Sequence, residues 1–310
     1  MRRLYKKLSL FLVLTFLINF SLVIGFVASG GLWTGTSALV IGVFYMFVPM
    51  CVAIFLQTVV YKQPLKKPFG ISFRLNRWFV VALLLPVVLA LLTFAVGLLF
   101  PGVHFSLGME GMYDRFALQL TSEQVQLMKT QAASLPIHPF WLVLIQSIVA
   151  GLTINAVAGF GEELGWRGFV YDELKDLGFW KLSFITGFIW GLWHSPLILL
   201  GHNYPQHPYF GLIMMTIWCL LLAPLFTLIR ERSGSVIAAA IFHGTLNGSY
   251  ALAIMLLSGG NDLTIGLTGA AGFVVLGGAL ILIRFFKLDR AITQQEAAQP
   301  PLLPAEQPPQ

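Results

Sequence analysis

The chain has 310 residues, of which 57% are hydrophobic and only 10% charged, whereas a soluble domain carries about a quarter charged residues. That shortfall excludes a soluble core and sets the class as all-α, a polytopic bundle of membrane helices. The net charge of +6 does not indicate a nucleic-acid partner, because the basic residues sit at the ends of apolar runs and form no stripe interleaved with aromatics.

Eight runs are long enough to cross a bilayer, at 8–28, 36–60, 78–100, 140–160, 182–200, 209–229, 236–257 and 265–286; about 20 apolar residues suffice for each. The first follows Arg2, Arg3, Lys6 and Lys7. It is about twice as long as the apolar region of a cleaved signal peptide, so it is expected to stay as an anchor. All of the 19 Lys and Arg except Arg115 and Lys129 fall in alternate connecting segments, which puts both termini in the cytoplasm. Cys51 and Cys219 lie within apolar runs and read as small buried hydrophobes. Trp33, Trp78, Trp141 and Trp180 lie near run ends as interfacial anchors.

Between the third and fourth runs, the outer loop 102–139 predicts a helix with Thr121 as N-cap and Gln124 where a capping box closes. The histidines at 104, 138, 202 and 207 are expected in outer loops, facing solvent. In the last run Gly266, Gly269, Gly272, Gly277 and Gly278 favour close helix packing. The tail 291–310, rich in Pro, Gln and Ala, predicts cytoplasmic disorder. The chain thus divides into 1–139, with three spans and the outer loop; 140–290, a five-helix core; and 291–310, the tail.

Polar residues at membrane depth cost several kcal/mol each, so they mark function. They concentrate in the core as Glu162, Glu163 and Arg167, then His194, then His243 and Asn247. If the fourth run continues as one helix to Lys175, Glu162 lies 13 residues from its end; His194 lies 13 residues past Lys181, and His243 lies 11 past Arg232. Each is then about 20 Å or less from the cytoplasmic side. Glu163 and Arg167 are spaced i,i+4 in the favourable order for an ion pair. That leaves Glu162 as an uncompensated carboxylate suited to general-base work. His243 and Asn247, also i,i+4, face one cavity, where an Asn amide can donate to an oxyanion.

This series, Glu162-Glu163-xxx-Arg167, a mid-span His194 and His243-xxx-Asn247, resembles the CAAX protease and bacteriocin-processing (Abi) intramembrane endopeptidases. The resemblance covers about 155–249, and 161–168 looks most like bacterial members. It implies a fold of about eight helices and a multi-pass protein of the bacterial plasma membrane. It also implies hydrolysis of a membrane-associated peptide or protein, with Glu162, His194, His243 and Asn247 as catalytic residues and Glu163 and Arg167 in support. The family's Phe-xxx-His motif has Trp190 in place of its Phe, a change expected to preserve packing. Two arrangements stay open. In one, Glu162 and His194 activate water while His243 and Asn247 hold the oxyanion. In the other, His194 and His243 are ligands of zinc or another divalent metal, as the family's description as metalloproteases suggests. The spacing lacks the His-Glu-xx-His pattern that indicates zinc by itself.

Two rival readings use the same residues. One is a non-catalytic scaffold or bacteriocin-immunity protein on this fold. The other is a proton-coupled transporter, against which stands the expected absence of internal repeats and broken helices.

Overall fold

The computed structural model describes residues 2–118 and 120–290; the tail predicted to be disordered lies outside them. Five of the predicted runs form helices long and apolar enough to cross a membrane. They are α1 (Arg2–Ala28), α2 (Gly35–Ile54, extended by a wide π turn Phe55–Val60), α3 (Arg77–Gly97), α11 (Pro208–Ser233) and α12 (Val236–Ser249, extended by a tight 3-10 turn Tyr250–Ala253). The chain is a polytopic bundle of membrane helices. Its strands, among the described residues, are a two-residue pair, β1 (His104–Phe105) with β2 (Leu257–Ser258).

The other three runs are not the single helices expected. The fourth divides into α6 (Pro139–Leu152) and α7 (Ile154–Glu163) at Thr153, whose backbone leaves the helical region (φ −124°, ψ −109°). A wide π turn, Leu164–Val170, and the short α8 (Tyr171–Leu174) follow. The fifth run ends as α9 (Phe179–Trp193) and resumes as α10 (Ser195–Leu199). Pro196 has no N–H for the Leu192 carbonyl four residues back. The Ser195 hydroxyl donates to that carbonyl instead, at 2.6 Å. The eighth run keeps only 16 helical residues, α13 (Ala270–Phe285). Broken helices are therefore present, contrary to expectation, and at membrane depth irregular backbone belongs where it lines a cavity.

The outer loop carries two helices, α4 (Glu110–Phe116) and α5 (Ser122–Ser134). The capping box forms as predicted: Thr121 Oγ1 accepts from the Gln124 amide, and Gln124 Oε1 accepts from the Thr121 amide. These helices cover the bundle end by packing Met112, Tyr113 and Val125 against Met255 and Leu256. Small residues do bring helices together, but elsewhere than predicted. A Cβ on Gly161 of α7 would stand 2.8 Å from the Met46 carbonyl of α2, and one on Gly244 of α12 would stand 2.6 Å from the Ala156 amide of α7. Gly277 and Gly278, by contrast, have open space beside them. Cys219 is buried as expected, but Cys51 is exposed on the outer face of α2.

The connections that the charge pattern assigns to opposite sides gather at opposite ends of the bundle. At one end Lys7 pairs with Glu173 at 2.6 Å, Asn76 donates to the Ser233 carbonyl, Ser235 donates to the Ser72 carbonyl, and Trp180 donates to Asp289. At the other, β1 meets β2, Trp33 meets His202 edge-on, and Tyr204 donates to the Thr268 carbonyl at 2.7 Å.

Candidate active site

The polar residues singled out in the sequence converge between α7, α9 and α12. Glu162 and Glu163 end α7 side by side and are almost fully buried. Glu163 reaches two partners. Its carboxylate accepts from Arg167 Nη1 at 3.2 Å, the expected ion pair, and from His243 Nδ1 at 2.8 Å. Glu163 is therefore more than a partner for Arg167: it fixes the His243 ring and turns Nε2 toward Glu162. The Arg167 guanidinium lies over the rings of Trp190 (4.6 Å) and Phe226 (4.1 Å), and its backbone carbonyl accepts from Arg230 Nε. A planar cation between two ring faces is held by its shape as well as its charge.

Glu162 is not the uncompensated carboxylate expected. Its Oε2 accepts from the indole N–H of Trp190 at 2.9 Å, and its Oε1 faces His243 Nε2 at 4.0 Å. The second distance is too long for a direct hydrogen bond and short enough for one bridging oxygen. Trp190 therefore does more than preserve packing, since a Phe there could not donate. The same residue sets His194: its carbonyl accepts from Nδ1 at 2.7 Å. A carbonyl can only accept, so Nδ1 carries the proton and Nε2 keeps its lone pair. His194 lies at the break between α9 and α10, where the helix ends and the ring meets the cavity.

Glu162, His194, His243 and Asn247 all line one cavity of about 520 Å³. Three of the four are buried, but Asn247 is exposed, one turn above His243 on α12. Glu163 and Arg167 lie beneath and do not line it. Two residues that the sequence reading left elsewhere do. His202 faces this cavity rather than solvent, with its edge to Trp33, and burial pushes its imidazole down to about 4. Trp33, read as an interfacial anchor, lines the same wall. His207, the other loop histidine, pairs with Asp262 at 2.6 Å instead. Asn19, fully buried in α1, was also missed; it accepts from Trp193 Nε1 and donates to the Tyr45 carbonyl, both at 2.9 Å. Nothing in an apolar run distinguishes such an Asn from one in a loop except its position near the middle of the run.

The residues do not fit a bound metal well. Among the described residues, no three His, Cys, Asp or Glu side chains converge as ligands of one ion. With both Nδ1 atoms bonded, the candidate donors left are the Nε2 atoms of His194 and His243 and Oε1 of Glu162, and these do not gather as one ligand set.

Residues 136–249 match the family model described as "Type II CAAX prenyl endopeptidase Rce1-like". A curated protein from Methanococcus maripaludis, "CAAX prenyl protease 2", is 34% identical over 93 residues, covering 28% of this chain and 34% of that protein. The chain thus aligns with about a third of the length of the curated relative it matches.

Proposed function

We propose that the chain, whose residues 136–249 match the type II CAAX prenyl endopeptidase model, is an intramembrane endopeptidase using water activated by Glu162. The observation that supports this reading is the arrangement around Glu162. One of its oxygens is fixed by Trp190, and the other faces His243 across 4.0 Å, in a cavity that His194 and Asn247 also line.

In this mechanism Glu162 takes a proton from a water as its oxygen bonds to the scissile carbonyl carbon. His194 Nε2, left free by the hydrogen bond at Nδ1, accepts the water's second proton as a hydrogen bond and aims the lone pair. The ring of His243, cationic between Glu163 at Nδ1 and Glu162 at Nε2, donates its Nε2–H to the oxyanion that forms, as does the amide of Asn247. When the C–N bond breaks, Glu162 returns its proton to the leaving amine and is a carboxylate again. Glu163 and Arg167 act at one remove, by orienting His243. Every step uses groups of the chain itself, and none is routed through a metal.

Glu162→Gln keeps the size of the side chain and its contact with Trp190 but removes the base. Cleavage of any substrate by the purified protein should stop while the thermal unfolding midpoint stays within about 2 °C. Unchanged cleavage by a folded Glu162→Gln protein would overturn the assignment. If that variant lost cleavage yet kept its effect on cells, the scaffold or immunity reading would gain.

A further inference from the structure

The cavity has a direction. Its floor is Glu162 and His243, and from there it reaches Trp33 and Thr34 before α2, Leu120 in the outer loop, His202 before α11 and Tyr250 after α12. These connections all belong to the bundle end that lacks the basic segments. Toward the basic end the floor is closed in depth. Below it lie Glu163 and Arg167, then Arg230 bonded to the Arg167 carbonyl, then Phe11 stacked on Phe169 at 4.6 Å, with Phe69 edge-on to Phe169. These side chains are all buried.

The side wall is open at the same end. The fourth run breaks at Thr153, and α7, which begins at Ile154, packs its Gly161 against Met46 and Phe47 in the second half of α2. No residue of α2 from Gly35 to Phe44 is buried. Leu39 and Val43 of α2 are exposed there, facing the cavity that exposed Asn247 of α12 also lines. An apolar rim leading down to the Glu162 floor suits an extended apolar peptide, whose side chains meet the rim.

We propose that the substrate reaches Glu162 from the face opposite the basic segments, through the gap between the first half of α2 and α12, as an extended, largely apolar peptide segment. This rests on the peptidase reading above. Since basic connections stay in the cytoplasm, the class is a peptide that has been exported, or the outer end of one anchored in the membrane. A lipidated C-terminus on the cytoplasmic face would have no path to the floor.

Sealed vesicles of both orientations test this. Orientation is measured with a membrane-impermeant maleimide on Lys175→Cys and Thr34→Cys proteins in a Cys51→Ser background; Lys175 and Thr34 are exposed at opposite ends. The probe is a library of internally quenched apolar decapeptides carrying sulfonated dyes, with Glu162→Gln vesicles as the blank. Cleavage should be at least tenfold faster when the face bearing Thr34 is outside. Equal or faster cleavage with the face bearing Lys175 outside overturns the route and leaves the peptidase reading intact. No Glu162-dependent cleavage in either orientation, by a protein that melts cooperatively, removes both. Gly42→Phe supplies the second arm. A Cβ at Gly42 meets only the Trp33 ring, at 3.9 Å, so the new side chain projects into the gap. It should raise KM at least tenfold and change kcat less than threefold; an unchanged KM overturns passage through this gap.

Discussion

Trp190 is the residue on which the geometry makes its sharpest demand. Its indole N–H is 2.9 Å from Glu162 Oε2, its carbonyl holds His194 Nδ1 at 2.7 Å, and its ring lies 4.6 Å from the Arg167 guanidinium. Trp190→Phe keeps the backbone carbonyl and most of the ring face but removes the donor. A hydrogen bond to a charged group contributes about 1.5–3 kcal/mol, and each 1.4 kcal/mol of lost transition-state stabilisation is about tenfold in rate. Part of that loss is offset, because a carboxylate relieved of a donor is a stronger base. The expected result is a fall in kcat of about 10- to 100-fold with KM nearly unchanged. The smaller ring also leaves a void, costing roughly 1–3 kcal/mol of stability, which a thermal melt measures separately. Replacing Trp190 with benzothienylalanine, which keeps the indole shape and lacks the N–H, separates the two effects. It should melt as the parent does and still lose rate. A benzothienylalanine enzyme with parental kcat would refute the claim that the donor sets Glu162.

The surrounding residues carry further expectations. Asn247→Ala should lower kcat by about 10²–10³ with little change in KM, as removal of an oxyanion donor does; a change in KM alone would make Asn247 a substrate-binding group. Arg167→Met strips the buried partner from Glu163 and should cost about 3–5 kcal/mol of stability, read as a lower midpoint in a detergent-solubilised melt. Asn19→Leu leaves the Trp193 indole without its acceptor and should cost about 1–3 kcal/mol with kcat unchanged, a split that kinetics and melting together reveal. Exhaustive chelation followed by elemental analysis should leave cleavage intact, and loss of activity restored by zinc would return His194 and His243 to the role of ligands.

The fold class was legible because membrane burial writes itself into composition, and the ends of the bundle were legible because Lys and Arg alternate between connections. Five of the six motif residues were legible for a related reason: an ionisable group in an apolar run is costly enough that it stands out without a structure, and Asn247 stood out by its i,i+4 spacing to His243. Helix breaks were not. The run through Leu152-Thr153-Ile154 has the same apolar character whether its backbone is continuous or turned, and only the backbone angles of Thr153 record the difference. Pro196, directly after Ser195, was the better warning for the fifth run, since the Leu192 carbonyl could not receive its usual bond.

The pairing of side chains across helices was the least accessible layer. The i,i+4 rule links Glu163 to Arg167 along one helix, but the second bond of Glu163 goes to His243, 80 residues away. Without it, Glu163 reads as a structural ion pair and Glu162 as the only carboxylate in contact with the chemistry. With it, two adjacent carboxylates share one imidazole unequally: Glu163 holds Nδ1 at bonding distance, while Glu162 stands 4.0 Å from Nε2. In the proposed mechanism that inequality gives the adjacent acids different work. Glu163, bonded through Oε1 to Arg167 and His243, does not line the cavity, whereas Glu162, with one oxygen fixed by Trp190, keeps the other turned to it. The proposed distinction between base and positioning residue therefore comes from which neighbours each acid has found on other helices. Glu163→Gln should accordingly slow the reaction through a misplaced His243 and leave Glu162 able to act, whereas Glu162→Gln should stop it.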